Sequence, residues 1–175
     1  MDRLARSTKI RHVQTPDRLL DEISLLLHRP IAKLADHQRQ VLERLHEDDA
    51  ILNGKRVLIV DDDIRNIFAL TSVLERYNMH ILSAETGRDA IQILQDTPDV
   101  DAVLMDIMMP EFNGLDTTRA IREIPHLKEL PIIAVTAKAM KGDREKCIEA
   151  GAWDYLSKPV NPEQMLAVLR AWIRR

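Results

Sequence analysis

Cysteine is almost absent. Cys147 stands alone, so no internal disulfide and no cysteine-rich zinc site can form. Its expected place is the buried side of a helix, because a free cysteine packs as a small hydrophobe. Aromatic residues make up only 3% of the chain. The core must be built from Leu, Ile, Val, Ala and Met, and the platforms on which bare nucleobases stack are few and scattered. A basic surplus is also missing. The formal net charge is −3, against the positive balance usual in nucleic-acid modules, so no nucleic-acid partner is expected. No apolar run approaches the roughly 18 residues of a membrane span, which argues against direct membrane contact. Met1-Asp2-Arg3 opens without the apolar stretch of a signal peptide. These absences lead to the expectation of a soluble, cytoplasmic protein.

What is present is a chain of 175 residues with an apolar fraction of 45%, enough for one ordinary domain with a real core and an extension. Two regions differ in texture. Residues 1–53 contain no convincing strand and read as a helical extension or linker. Residues 17–28 have the apolar spacing of a packed helix, and Leu34, Gln38, Val41, Leu45, Asp48 and Leu52 form a short heptad seam with two polar members. A plain helix packed on its own chain is one reading of that seam; a dimer through the N-terminal helices, or an interdomain linker, is the other.

Residues 54–175 alternate short apolar runs with amphipathic stretches. The runs predict strands over Lys55–Val60, Met79–Ala84, Asp101–Met105, Leu130–Val135 and Trp153–Ser157. Between and after them the pattern predicts helices over Arg65–Arg76, Gly87–Gln95, from Gly114 to before Pro125, over Lys141–Ala150, and from Pro162 to the end. Strands that alternate with helices imply an α/β fold, a five-stranded parallel sheet flanked by five helices. Runs such as Val57-Leu58-Ile59-Val60 suit strands buried on both sides. Gly54 and Gly151 read as helix stops.

In such sheets ligands bind beyond the carboxyl ends of the strands. There stand Asp61, Asp62 and Asp63 after the first strand, Asp106 after the third, Thr136 after the fourth, and Lys158 with Pro159 after the fifth. Taken singly, each has a bland explanation. One of the three consecutive acids caps the next helix, Asp63 being the natural choice; Thr136 alone is a turn residue and Lys158 alone a solvated lysine. Asp106, inside an apolar run, is harder to explain as a cap. All of them at one edge make a site. Carboxylates suit magnesium, which takes oxygen ligands and keeps several waters; Asp61 or Asp62 with Asp106 would hold it, relieving the repulsion among the acids. A carboxylate is also a nucleophile able to form an aspartyl phosphate. With magnesium, Lys158 and Thr136 to meet phosphoryl oxygens, the parts for phosphorylating one Asp are complete.

The segments VLIVDDD at 57–63, VLMDIMMP at 103–110, IIAVTAKA at 132–139 and GAWDYLSKPV at 151–160 resemble the marks of response-regulator receiver domains of two-component systems, in order along 54–175. IRNIFALTSVLE at 64–75 and AKAMKGDREKCIEAGA at 137–152 are most like the receiver of a hybrid sensor histidine kinase. The resemblance implies a flavodoxin-like receiver fold and magnesium-dependent transfer of a phosphoryl group from phosphohistidine to Asp106. It implies Asp61, Asp62, Asp106 and the backbone carbonyl of Met108 as the metal site, Thr136 and Lys158 as partners of the phosphoryl group, and Ala137 as the small neighbour leaving room for it. Tyr155 would be the switch aromatic, and Lys158–Pro159 a cis peptide. Met108 is apolar where some members carry a polar residue that places water, which implies slow self-dephosphorylation. The partner would be a histidine kinase or a histidine phosphotransfer protein, docked over the sheet edge and the first helix with Ile64, Ile67, Phe68 and Leu70 partly available. The weak echo between Val13–Ile23 and Val160–Leu169 raises the reading of residues 9–28 as the last helix of a preceding receiver. Ending at Arg175, the chain is expected to carry no output domain after the receiver.

Two rival functions remain at this stage. A magnesium-dependent phosphatase would use Asp61 of Asp61-Asp62-Asp63 as nucleophile, but its further acids after the fourth strand are absent. A non-cycling docking module would bind partners without phosphorylation, which the intact acid, Thr and Lys set opposes. His46-Glu47 and His12 faintly resemble phosphoacceptor histidines; solvated helix histidines are the preferred reading.

Overall fold

The structure, a computed structural model, describes residues 50–110, 112–137 and 142–173. The helix expected over 17–28, most of the heptad seam, His12, His46 and the loop over 138–141 lie outside the described residues.

Five parallel strands form one sheet: β1 (Arg56–Val60), β2 (His80–Ala84), β3 (Ala102–Asp106), β4 (Ile132–Thr136) and β5 (Asp154–Ser157). Their order is β2-β1-β3-β4-β5. The helices are α1 (Ile64–Leu74), α2 (Gly87–Asp96), α3 (Gly114–Glu123), α4 (Asp143–Glu149) and α5 (Pro162–Ile173). Because successive strand residues point to opposite faces, the central strands feed two cores. Val57, Ile59, Leu104 and Val135 meet Ile67, Leu70 and Leu74 of α1 and Met165, Leu166 and Leu169 of α5. Leu58, Val60, Val103 and Met105 meet Ala90 and Leu94 of α2 and Ile121 of α3. Cys147 of α4 is buried with Ala134 and Ala152. Leu52, before the expected boundary at 54, is fully buried in the first core.

Side-chain caps start four helices. Asp63 accepts from the Arg65 N–H, Thr86 from Asp89, Asn113 from Asp116 and Asn161 from Gln164, each satisfying a donor that the helix leaves open. Gly54 (φ 73°) and Gly151 (φ 103°) take the left-handed conformation expected of helix stops.

Two expectations are corrected. The fourth strand starts at Ile132, not Leu130: Leu130 closes a turn onto Leu127, and Pro131 has no N–H to enter a ladder. Of the four apolar residues of α1 expected to be available, only Ile64 and Phe68 are exposed, whereas Ile67 and Leu70 are buried. The helical period puts 67, 70 and 74 on the sheet side and turns 64 and 68 to solvent.

Candidate functional site

The strand order reverses between β1 and β3, and a crevice opens at such a point beyond the carboxyl ends of the strands. Asp61 leaves β1 there, and Asp106 is the last residue of β3. Both are buried, at 2% and 3% exposure. Asp62 stands exposed beside them. Carboxylate oxygens of the three lie within 4.8 Å of one another.

Three carboxylates this close repel, and one cation answers them. Lys158, which follows β5, places Nζ 2.8 Å from Oδ2 of Asp61 and 2.8 Å from Oδ2 of Asp106. Its backbone N–H donates to the Thr136 carbonyl at 2.7 Å, tying the lysine to the end of β4, and the Lys158–Pro159 peptide is cis. Burial pulls the lysine pKa down, but the hydrogen bonds and charges of Asp106 and Asp61 outweigh it and hold the ammonium above its ordinary value. The second oxygen of Asp106 accepts from the Met108 N–H at 3.0 Å.

Asp61 is held on every side. Oδ1 accepts from the Asp63 N–H at 2.9 Å, and the Asn66 amide donates to Oδ1 at 3.0 Å and Oδ2 at 3.1 Å. The carboxylate of Asp63 bonds outside this cluster. It caps α1 and binds the Arg65 guanidinium, and that hydrogen bond, with the Arg65 N–H, lowers its pKa to about 2. Asp63 is thus the one of the three acids that caps the helix, as expected, while Asp61 and Asp62 lie beside Asp106.

Thr136 is buried at the end of β4, in register with Ser157. Ala137 follows it, exposed. Tyr155 is half-buried, packs against the small core of Ala134, Cys147 and Ala152, and lies under the Arg144 guanidinium, 5.6 Å from its ring centroid. Tyr155 is two residues short of the strand end, so Thr136 and Tyr155 are on adjacent strands but not opposite each other: Tyr155 pairs with Ala134. The Met108 side chain is exposed.

Asn66, Gly114, Arg122 and Arg144 were not singled out by the sequence reading. A Cβ on Gly114 would stand 2.0 Å from the Asp106 carbonyl oxygen, so only glycine lets α3 start this close to the site. Arg122 donates to the carbonyls of Gly151, Leu127 and Leu130, joining the end of α3 to the entries of β4 and β5. A sequence signal existed for Asn66 alone: a polar residue three after the cap, next to the buried Ile67. Beside it a cleft of about 230 Å³ is lined by Asp61, Asn66, Ala69, Leu70, Val135 and Lys158 to Val160.

The buried acids, their oxygen-only character and the exposed Asp62 fit a small hard cation that keeps water in its shell. Phosphoryl transfer needs such a cluster, with a nucleophile and fixed cations around it. Comparison with known proteins agrees. The model of the response regulator receiver domain family matches residues 57–170. The signal transduction histidine-protein kinase BarA of Escherichia coli (strain K12) is 32% identical over 151 residues, 86% of this chain and 15% of that kinase. The chain thus spans a small part of that relative's length. Among solved structures, the receiver domain of sensor histidine kinase PA1611 from Pseudomonas aeruginosa PAO1, with magnesium coordinated in its active-site cleft, matches with a TM-score of 0.65 and 34% identity, over 70% of this chain and 99% of that one. The receiver domain of the Saccharomyces cerevisiae response regulator Ssk1, crystallised with the histidine phosphotransfer protein Ypd1, matches with a TM-score of 0.64 and 26% identity, over 69% and 89%. Within residues 50–173 no described helix is long and apolar enough to cross a membrane. The chain belongs to the response regulator receiver domain family, the receivers of two-component and phosphorelay signalling.

Proposed function

We propose that this chain accepts a phosphoryl group from a phosphohistidine onto Asp106 with magnesium bound, and that the phosphorylated state exposes a changed protein-interaction surface. The observation that carries this reading is the position of Lys158, 2.8 Å from both Asp61 and Asp106, with Asp62 completing the acidic cluster. A carboxylate oxygen of Asp106 attacks phosphorus, the phosphorus–nitrogen bond breaks, and the imidazole leaves with the bonding pair. Magnesium, held by Asp61, Asp62, Asp106 and the Met108 carbonyl, would supply the positive charge that the incoming phosphoryl oxygens need. Lys158 moves its hydrogen bond from Asp106 to a phosphoryl oxygen, and the Thr136 hydroxyl donates to another. Thr136 then draws in the loop after β4, and Tyr155 leaves Arg144 and turns inward. A two-state element biased by one local charge is how such modifications act at a distance. The apolar, exposed Met108 offers attacking water no hydrogen bond, which favours a long-lived phosphoryl state.

The partner is a histidine kinase or histidine phosphotransfer protein. Residues 54–175 act as the receiver, in the cytoplasm. Incubation with acetyl phosphate and magnesium, followed by intact mass and a peptide map, tests the reading. One phosphoryl group on Asp106 is expected, lost with EDTA and in Asp106→Asn. An adduct on Asp61, or none on a folded, magnesium-binding chain, overturns it.

A further inference from the structure

Asp61 accepts from two side chains of different kinds. Lys158 is a cation shared with Asp106. Asn66, on the first turn of α1, reaches both oxygens of Asp61 with one amide nitrogen. A carboxylate accepts only, so the nitrogen end of the amide must face it. The two donors differ in what they leave behind. Lys158 neutralises charge at the cluster and turns to the phosphoryl group during transfer. Asn66 is neutral. It fixes the carboxylate plane while leaving its full negative charge for a cation, and nothing in the transfer draws it away.

We propose that Asn66 is a positioning residue that holds Asp61 in its metal-binding orientation. This rests on the function proposed above. Partners behind a metal ligand set its orientation, and losing one typically costs about 10–100-fold in metal affinity or activity. Removal of Asn66 orphans neither Asp61 oxygen, since the Asp63 N–H and Lys158 remain on them, so the fold survives it. Leucine at this position keeps the bulk of asparagine, and its side chain meets the apolar cleft wall of Ala69, Leu70 and Val160.

The experiment is a calorimetric titration of Mg2+ into the full chain, Asn66→Ala and Asn66→Leu, with acetyl phosphate kinetics over a range of metal. Both variants are expected to bind Mg2+ about tenfold more weakly. The metal concentration for half-maximal phosphorylation should rise by the same factor, with the rate at saturating metal returning toward the parent's. Parent-like affinity in both variants overturns the proposal. Weak binding in Asn66→Ala that Asn66→Leu restores also overturns it, by showing that bulk alone matters. A parent that binds no Mg2+ sinks the function reading itself, and the role of Asn66 with it.

Discussion

Asp62 is the residue at which charge and stability separate most cleanly. It is exposed, so its burial contributes little, yet it stands in a cluster of three carboxylates with Lys158 bridging only the other two. Without metal its charge repels its neighbours. Asp62→Asn is therefore expected to raise the metal-free melting temperature by a few degrees. It should also abolish most of the rise expected on adding Mg2+ to the parent, since a ligand stabilises only as far as it binds the folded state. Thermal melts with and without Mg2+ check both. Lys158 makes a prediction at the other end of the pH scale. Its folded pKa is raised, so its contribution is complete below about 10.5, the unfolded value, and is lost as pH rises through the folded one. The parent should lose stability above that pH by an increment that Lys158→Met lacks. Parallel alkaline melts of the two proteins measure it, and identical slopes would refute the linkage.

At the scale of elements, the contact between α3 and the end of β3 decides what the site tolerates. Gly114 leaves no room for a methyl group, since the clash is with the Asp106 carbonyl, which is backbone and cannot swing aside. Gly114→Ala is expected to cost about 1–3 kcal/mol by overpacking and to slow phosphorylation by displacing Asp106. Gly142, before α4, has nothing near its would-be Cβ and a negative φ of −108°. Gly142 caps α4, where glycine is preferred to alanine, which offsets the gain through the unfolded chain, so Gly142→Ala is expected to change stability by less than about 1 kcal/mol. Urea unfolding separates the pair. The strands and helices themselves were legible, because buried parallel strands write continuous apolar runs and the helices between them write a 3.6-residue period. What the pattern blurred was the exposed side of α1. Ile64, Ile67, Phe68 and Leu70 are all apolar, and only the phase fixed by the Asp63 cap shows that 67 and 70 point inward.

For the whole molecule, the chemistry was easier to read than its support. Asp61, Asp62, Asp106, Thr136 and Lys158 each end or follow a strand, so the topology alone brings them together. Arg122 works through a contact with Gly151, far along the chain, which no local spacing encodes, and Asn66 is marked only by its place three residues after the cap. The exposed pair Ile64 and Phe68 lies beside that edge, on a surface open to a protein partner. Phe68→Ala is expected to slow transfer from a phosphohistidine protein by about tenfold, as for loss of a buried aromatic anchor, and to leave transfer from acetyl phosphate unchanged. A matching loss with acetyl phosphate would mean that Phe68 serves the site and not the docking.

The two tryptophans add a consequence of another kind. Trp153 precedes β5 and Trp172 closes α5, edge to face with ring centroids 5.2 Å apart, and the Trp172 indole N–H donates to Asp154. Since α5 runs back along the sheet from the carboxyl end, both indoles sit at the end of the sheet opposite the acids. They are the only tryptophans in the chain, so its tryptophan emission arises from one spot, remote from the acidic cluster. A change in that emission on phosphorylation cannot be local quenching at the acids. It would be an optical record, with no dye attached, that a displacement at one rim of the sheet had reached the other.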